Sequence, residues 1–121
     1  MAKHITDSIV VHCIDFRFQE YLDGWLSENL GHGNYDRVSY AGSVLDFDTV
    51  FEQIKISERL HEIKQVILIN HEDCGAYGAE GTYERHQKDL LAAKEKVLGS
   101  FPHLNVSLLY LRLDGRFEKV A

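Results

Sequence analysis

The stretch QVILINHEDCG, residues 65–75, decides the fold. Gln65 to Asn70 form a continuous apolar run bounded by a turn, the pattern of a strand covered on both faces. His71 and Cys74 follow directly, with Gly75 behind them. A His-x-x-Cys in a turn lets both side chains converge on one point.

Working outward, SIVVHCI (Ser8 to Ile14) is a second β-branched, nearly all-apolar strand. It places Cys13 at its end and runs on into Asp15-Phe16-Arg17. Tyr35 to Tyr40 is a weaker, alternating strand, and Asn105 to Leu113 a longer, partly alternating one. Helical spacing fills the gaps. Phe18 to Leu30 sets Phe18, Leu22, Trp25 and Leu26 on one face and stops at Gly31 and Gly33. Asp46 to about Ile63 does the same with Phe47, Val50, Phe51 and Ile54. Thr82 to Phe101 carries Leu90, Leu91, Val97, Leu98 and Phe101, with Thr82 as its cap and Pro102 as its stop. Asp114-Gly115 reads as a tight turn, returning Arg116 to Val120 as a short edge strand.

Strands alternating with helices predict an α/β fold: a mostly parallel sheet, right-handed crossovers and helices on both faces. With 121 residues, the chain is read as a single domain over 1–121. In such sheets ligands bind at the carboxyl ends of the strands, and both cysteines fall there.

Composition narrows the function. The net charge is −6, and no basic stripe is present, which argues against a nucleic-acid partner. No apolar run approaches the roughly 20 residues of a membrane helix. Met1 to His4 lead almost directly into the first strand without a signal-peptide core, so a cytoplasmic location is expected. Two cysteines in a reducing compartment are more readily thiols than a disulfide.

Cys13, His71 and Cys74 together offer two thiolates and an imidazole, a donor set suited to Zn²⁺. Cys13 reaches the other two if the first and third strands are neighbours. Each alone has a plainer reading: Cys13 as a buried core thiol, Cys74 as a loop thiol. Three protein ligands leave a fourth position for water or for Asp15. Arg17, two residues on, can pair with Asp15 in a bidentate salt bridge and turn it away from the metal; the pair could equally be a plain loop salt bridge. His12 points to the opposite face of its strand from Cys13. His4, His32, His61, His86 and His103 read as solvated polar side chains, and Glu72 and Asp73 as exposed loop acids. The glycines form no phosphate-binding pattern.

Cys13-x-Asp15-x-Arg17, the Ala41-Gly42 turn and His71-x-x-Cys74-Gly75 occur in this order after three successive strands. From about Ile9 to Gly78 this combination resembles the β-class carbonic anhydrases. The resemblance implies a three-layer fold whose four-stranded sheet runs in the order 2-1-3-4. It implies Zn²⁺ held by Cys13, His71 and Cys74, with Asp15 and Arg17 as the catalytic dyad. It implies reversible hydration of CO₂ to bicarbonate by zinc-bound hydroxide in a homodimer or higher homo-oligomer. Two residues depart from the family: Phe16 replaces a small residue, and Tyr40 replaces the asparagine that commonly precedes Ala-Gly. Phe16, Tyr40 and Tyr77 are therefore expected to line a different or narrower apolar pocket. Carbonyl sulfide and carbon disulfide are alternative substrates on the same metal chemistry. A zinc site closed by Asp15 would make the protein non-catalytic, and a reactive cysteine would make it a thiol redox protein. Trp25, Phe18 and the Tyr35–Tyr40 strand are the features expected at a subunit contact, unless each is simply core.

Overall fold

The computed structural model describes residues 3–120. Its elements run β1 (Ser8–His12), α1 (Gln19–Asn29), β2 (Tyr35–Ser39), α2 (Phe47–His61), β3 (Gln65–His71), α3 (Tyr83–Ser100), β4 (Asn105–Leu111) and β5 (Phe117–Lys119). The sheet order is β2-β1-β3-β4-β5. The first four strands are parallel, and β5 returns antiparallel to β4. The expected order and edge strand are both present.

Register fixes the two faces. Ile9 and Val11 of β1, with Val66 and Leu68 of β3 and Val106 and Leu108 of β4, pack against Ile54 of α2 and Leu90, Ala93 and Val97 of α3. The alternate residues Val10, Ile67 and Ile69 face Leu22 and Leu26 of α1. A strand covered on both sides needs apolar residues at every position, which is why β1 and β3 read as unbroken runs.

Boundaries and faces sharpen at several points. β1 ends at His12, two residues short of the expected end at Ile14. The Tyr40 N–H takes the His12 carbonyl, while the Cys13 carbonyl is met by side chains, His12 Nδ1 at 2.8 Å and Gln19 Nε2 at 3.3 Å. Cys13 thus leaves the ladder. Thr82 caps α3 as expected, its hydroxyl accepting from the Arg85 N–H at 3.1 Å. Leu91, expected on the buried side of α3, faces outward, and the buried stripe is His86, Leu90, Ala93 and Val97. At the far end, the Arg112 N–H donates to the Arg116 carbonyl across the Asp114-Gly115 turn and aligns β5.

Trp25 and Phe18 are not free faces. Trp25 stacks on Phe117 with ring centroids 5.5 Å apart, and Phe18 is buried against α1. Among the described residues, no helix is long and apolar enough to cross a membrane.

Candidate metal centre

Adjacent parallel strands carry the three donors to one place. β1 and β3 are paired from Ser8↔Gln65 to Val11↔Leu68, so the segments leaving their carboxyl ends emerge side by side. Cys13, His71 and Cys74 are all buried, and one donor atom from each lies within 4.8 Å of the other two. The sulfurs stand 4.0 Å apart, and both cysteines are free. Two thiolates at about 2.3 Å on a tetrahedral zinc would be separated by about 3.8 Å.

His71 is prepared for a ligand. Its Nδ1 donates to the Glu72 carbonyl at 2.7 Å, which fixes the tautomer and leaves the Nε2 lone pair free. That Nε2 is buried and has no hydrogen-bond partner. A buried polar atom left unmatched is costly unless something binds it. Phe18 packs on the imidazole at 4.2 Å between centroids and limits its rotation. The donor set, its spacing and the orphaned nitrogen all fit Zn²⁺.

The electrostatics favour a charged sulfur. The contact with Cys74, together with His71 and the Gly42 N–H, pulls the Cys13 thiol well below its ordinary value against the effect of burial. The hydrogen bond to Cys13, together with burial, holds Cys74 above its own. Burial opposes a charge on His71, but Cys13 and the Glu72 carbonyl outweigh it and raise the imidazole. The Gly42 N–H lies 3.3 Å from the Cys13 sulfur.

Asp15 stands beside this cluster, its Oδ2 3.8 Å from His71 Nε2. Arg17 grips it with Nε at 3.1 Å from Oδ1 and Nη2 at 2.7 Å from Oδ2, and the Arg17 backbone N–H adds a bond of 2.9 Å. The side-chain hydrogen bond from Arg17 is the main reason the Asp15 carboxyl lies below the usual range. The same guanidinium reaches the loop after β3: Nη1 is 3.0 Å from Asp73 Oδ2 and Nη2 is 2.8 Å from the Asp73 carbonyl.

Residues 3–121 match the family described as "Putative carbonic anhydrase". The chain belongs to this carbonic anhydrase family. An uncharacterized protein of Rickettsia conorii is 30% identical to it over 132 residues, covering 93% of this chain and 71% of that one. An uncharacterized protein of Rickettsia bellii is 28% identical, covering 93% of this chain and 80% of its own length. Among solved structures, a carbonic anhydrase from Streptococcus mutans superposes with a TM-score of 0.69 at 18% identity, over 98% of this chain and 84% of that one. The carbonic anhydrase from Glaciozyma antarctica gives 0.68 at 16% identity, over 100% and 85%. At these identities the likeness establishes the fold, a β-carbonic anhydrase sheet with its flanking helices.

In this carbonic anhydrase-like chain Cys13 borders a cavity of about 560 Å³ lined also by Ile14, Asp15, Phe16, Arg17, Ala41, Asp73, Gly75 and Ala76. Phe16 is 85% exposed there, as its expected place at the pocket requires. Tyr40 and Tyr77 do not line it. The Tyr40 hydroxyl donates to Asp46, and Tyr77 is buried behind the cysteines with its hydroxyl on Asp89.

Two histidines read as solvated are not. His61 is half-buried with its Nδ1 2.6 Å from Asp36 Oδ2, and His86 is completely buried, its ring 4.1 Å from that of Tyr77. His86 was detectable in principle: it begins the same helical stripe as Leu90, Ala93 and Val97. Asp73, read as a loop acid, is the second anion on Arg17. Only its position between His71 and Cys74 hinted at that. His12 is not among the clustered donors: its Nδ1 bonds the Cys13 carbonyl and its Nε2 accepts from Arg37, which in turn holds Asp23 of α1.

Proposed function

We propose that this protein is a zinc-dependent lyase that hydrates CO₂ reversibly to bicarbonate. The observation that carries the reading is the convergence of one donor atom each from Cys13, His71 and Cys74 within 4.8 Å, beside a carboxylate that an arginine already holds. Cys13, His71 and Cys74 would hold the ion. Zinc in such a site supplies Lewis acidity, which brings the ionisation of water towards neutral pH.

The chain's own residues support that chemistry. The Glu72 carbonyl orients His71, and the Gly42 N–H takes up charge on the Cys13 sulfur. Asp15 is acceptor-only while Arg17 keeps it ionised, so it orients a water by accepting its proton in a hydrogen bond. Ile14, Phe16, Ala41 and Ala76 give the cavity an apolar wall suited to a small uncharged substrate. A reducing cytoplasm would keep both thiols free.

Stopped-flow CO₂ hydration by the zinc-loaded protein tests this. A rate above buffer that rises from neutral to alkaline pH is expected, and no such rate would end the proposal. Carbonyl sulfide and carbon disulfide belong in the same assay, because Phe16 alters the cavity mouth and not the metal donors.

A non-catalytic zinc protein is the second reading, favoured by the 3.8 Å between Asp15 Oδ2 and His71 Nε2, which leaves Asp15 close enough to complete the donor set. X-ray absorption on the zinc form separates the two: sulfur, sulfur, nitrogen and a carboxylate at alkaline pH would support closure. We also infer a homo-oligomer. Ile14, Phe16 and Leu45 are exposed apolar side chains near the site, and the β-carbonic anhydrases of Sordaria macrospora with this fold (TM-score 0.59) are tetrameric. Light scattering on the purified chain tests that.

A further inference from the structure

Behind the two cysteines lies a buried polar assembly that the proposed chemistry does not use. Tyr77 forms a buried cluster with Cys13 and Cys74. Its hydroxyl accepts from Asn70 Nδ2 at 3.1 Å and donates to Asp89 Oδ2 at 2.8 Å. Both roles of the hydroxyl are thereby filled, and the ring cannot slide without breaking one. Asn70 is the β3 residue just before His71, and its amide also meets His86 Nδ1 of α3 at 2.8 Å. His86 packs its ring on Tyr77, and Arg85 joins Asp89 at 3.0 Å.

The backbone ties Tyr77 to Cys74 as directly. The Cys74 carbonyl accepts from the Tyr77 N–H at 3.2 Å and from the Gly78 N–H at 3.1 Å. The chain passes close to the base of the Tyr77 side chain at Gly81, where a Cβ would come within 2.8 Å of Tyr77 Cβ. Cys74 sits on a loop, not on a strand. Its place opposite Cys13 therefore depends on what anchors the loop, and Tyr77 is that anchor, pinned to β3 through Asn70 and to α3 through Asp89.

We infer that Tyr77 is a positioning residue that sets Cys74 opposite Cys13 and His71, and thereby sets the affinity of this site for a divalent metal. The inference rests on the metal reading above. Such outer partners of metal ligands are commonly worth about tenfold to a hundredfold in affinity. Tyr77→Phe keeps the ring and removes both hydroxyl bonds. Asp89→Ala removes one of them from the other side. Leu90→Ala lowers the stability of the same helix without touching the hydroxyl.

The experiment is Co²⁺ binding to the purified full chain, followed by the thiolate charge-transfer band and by competition with a chelator, alongside thermal unfolding of the metal-free protein. Tyr77→Phe is expected to weaken Co²⁺ binding by about tenfold or more and to change the band. Asp89→Ala should act in the same direction and also serves if Tyr77→Phe does not fold. Leu90→Ala is expected to unfold earlier with affinity and band intact. Unchanged binding in Tyr77→Phe and Asp89→Ala, or an equal loss in Leu90→Ala, overturns the inference. Absence of a thiolate band in the unmutated chain instead overturns the metal reading on which it stands.

Discussion

Arg17 Nη1 lies 3.0 Å from Asp73 Oδ2, so one guanidinium joins the segment after β1 to the loop after β3. The same group holds Asp15 by both carboxylate oxygens. An arginine can do this because its donors are fixed in one planar fork; a lysine offers a single point charge.

Arg17→Lys should therefore cost about tenfold to a hundredfold in metal affinity or CO₂ hydration, while the fold is kept. The pH effect has a definite sign. Arg17 holds the Asp15 carboxyl below its ordinary value, so the pair's stabilisation is complete above about pH 3.9, the unfolded value, and fades as pH falls through the lower folded one. In Arg17→Met the Asp15 carboxyl should titrate at higher pH than in the unmutated chain, as read by carboxyl-carbon NMR. An unmoved titration would refute the coupling.

Gly42 has a φ of +81°, and a Cβ there would lie 2.8 Å from Leu45 Cβ. Gly42→Ala combines left-handed strain with a clash and displaces the N–H that faces the Cys13 sulfur. A loss of about 1–3 kcal/mol in denaturant unfolding is expected, together with weaker metal binding. Gly31→Ala, also at positive φ but with open space around it, should lose stability without affecting the metal.

Buried His86 is held neutral, its pKa pulled down to about 4 chiefly by burial. The folded state binds fewer protons than the unfolded one between that value and the ordinary 6.5. Stability should thus be flat above about pH 6.5 and fall on acidification, by on the order of 3 kcal/mol towards pH 4. Urea unfolding at neutral and mildly acidic pH measures the slope, and His86→Phe should flatten it. The same slope in both proteins would assign the acid sensitivity elsewhere.

Phe16 is exposed at the cavity mouth, so Phe16→Ser should leave stability within about 0.5 kcal/mol. Its effect should appear instead in turnover or in the affinity of an anionic inhibitor. Kinetics and inhibition identical to the unmutated protein would remove Phe16 from the substrate's path.

The sequence was most informative where local chemistry and tertiary position coincide. Unbroken apolar runs marked β1 and β3 because covered strands need them, and the donors following each run marked the open end of the sheet. The site's second layer was harder to see. Tyr77 belongs to a loop, where nothing in the sequence tells a buried ring from an exposed one until α3 supplies Asp89. Asp73 gained its role only when Arg17, 56 positions earlier, came within reach. His86 lies among charged residues along the chain, and only the helical period set by Leu90 and Ala93 carried a sign of its burial. β1 stops short of its apolar run because side chains, not a strand, satisfy the Cys13 carbonyl.

The parallel pairing of β1 with β3 also governs when the donors can meet. Cys13 and Cys74 are 61 positions apart, and the chain between them contains α1, β2, α2 and β3. Closing a loop of that length loses chain entropy before any contact repays it, and pairings so distant in sequence form slowly. A growing chain that has not yet completed β3 possesses one donor and no site. The three-donor set is thus a property of finished long-range order, and its capture of an ion would report, during refolding, the moment at which the centre of the sheet has zipped.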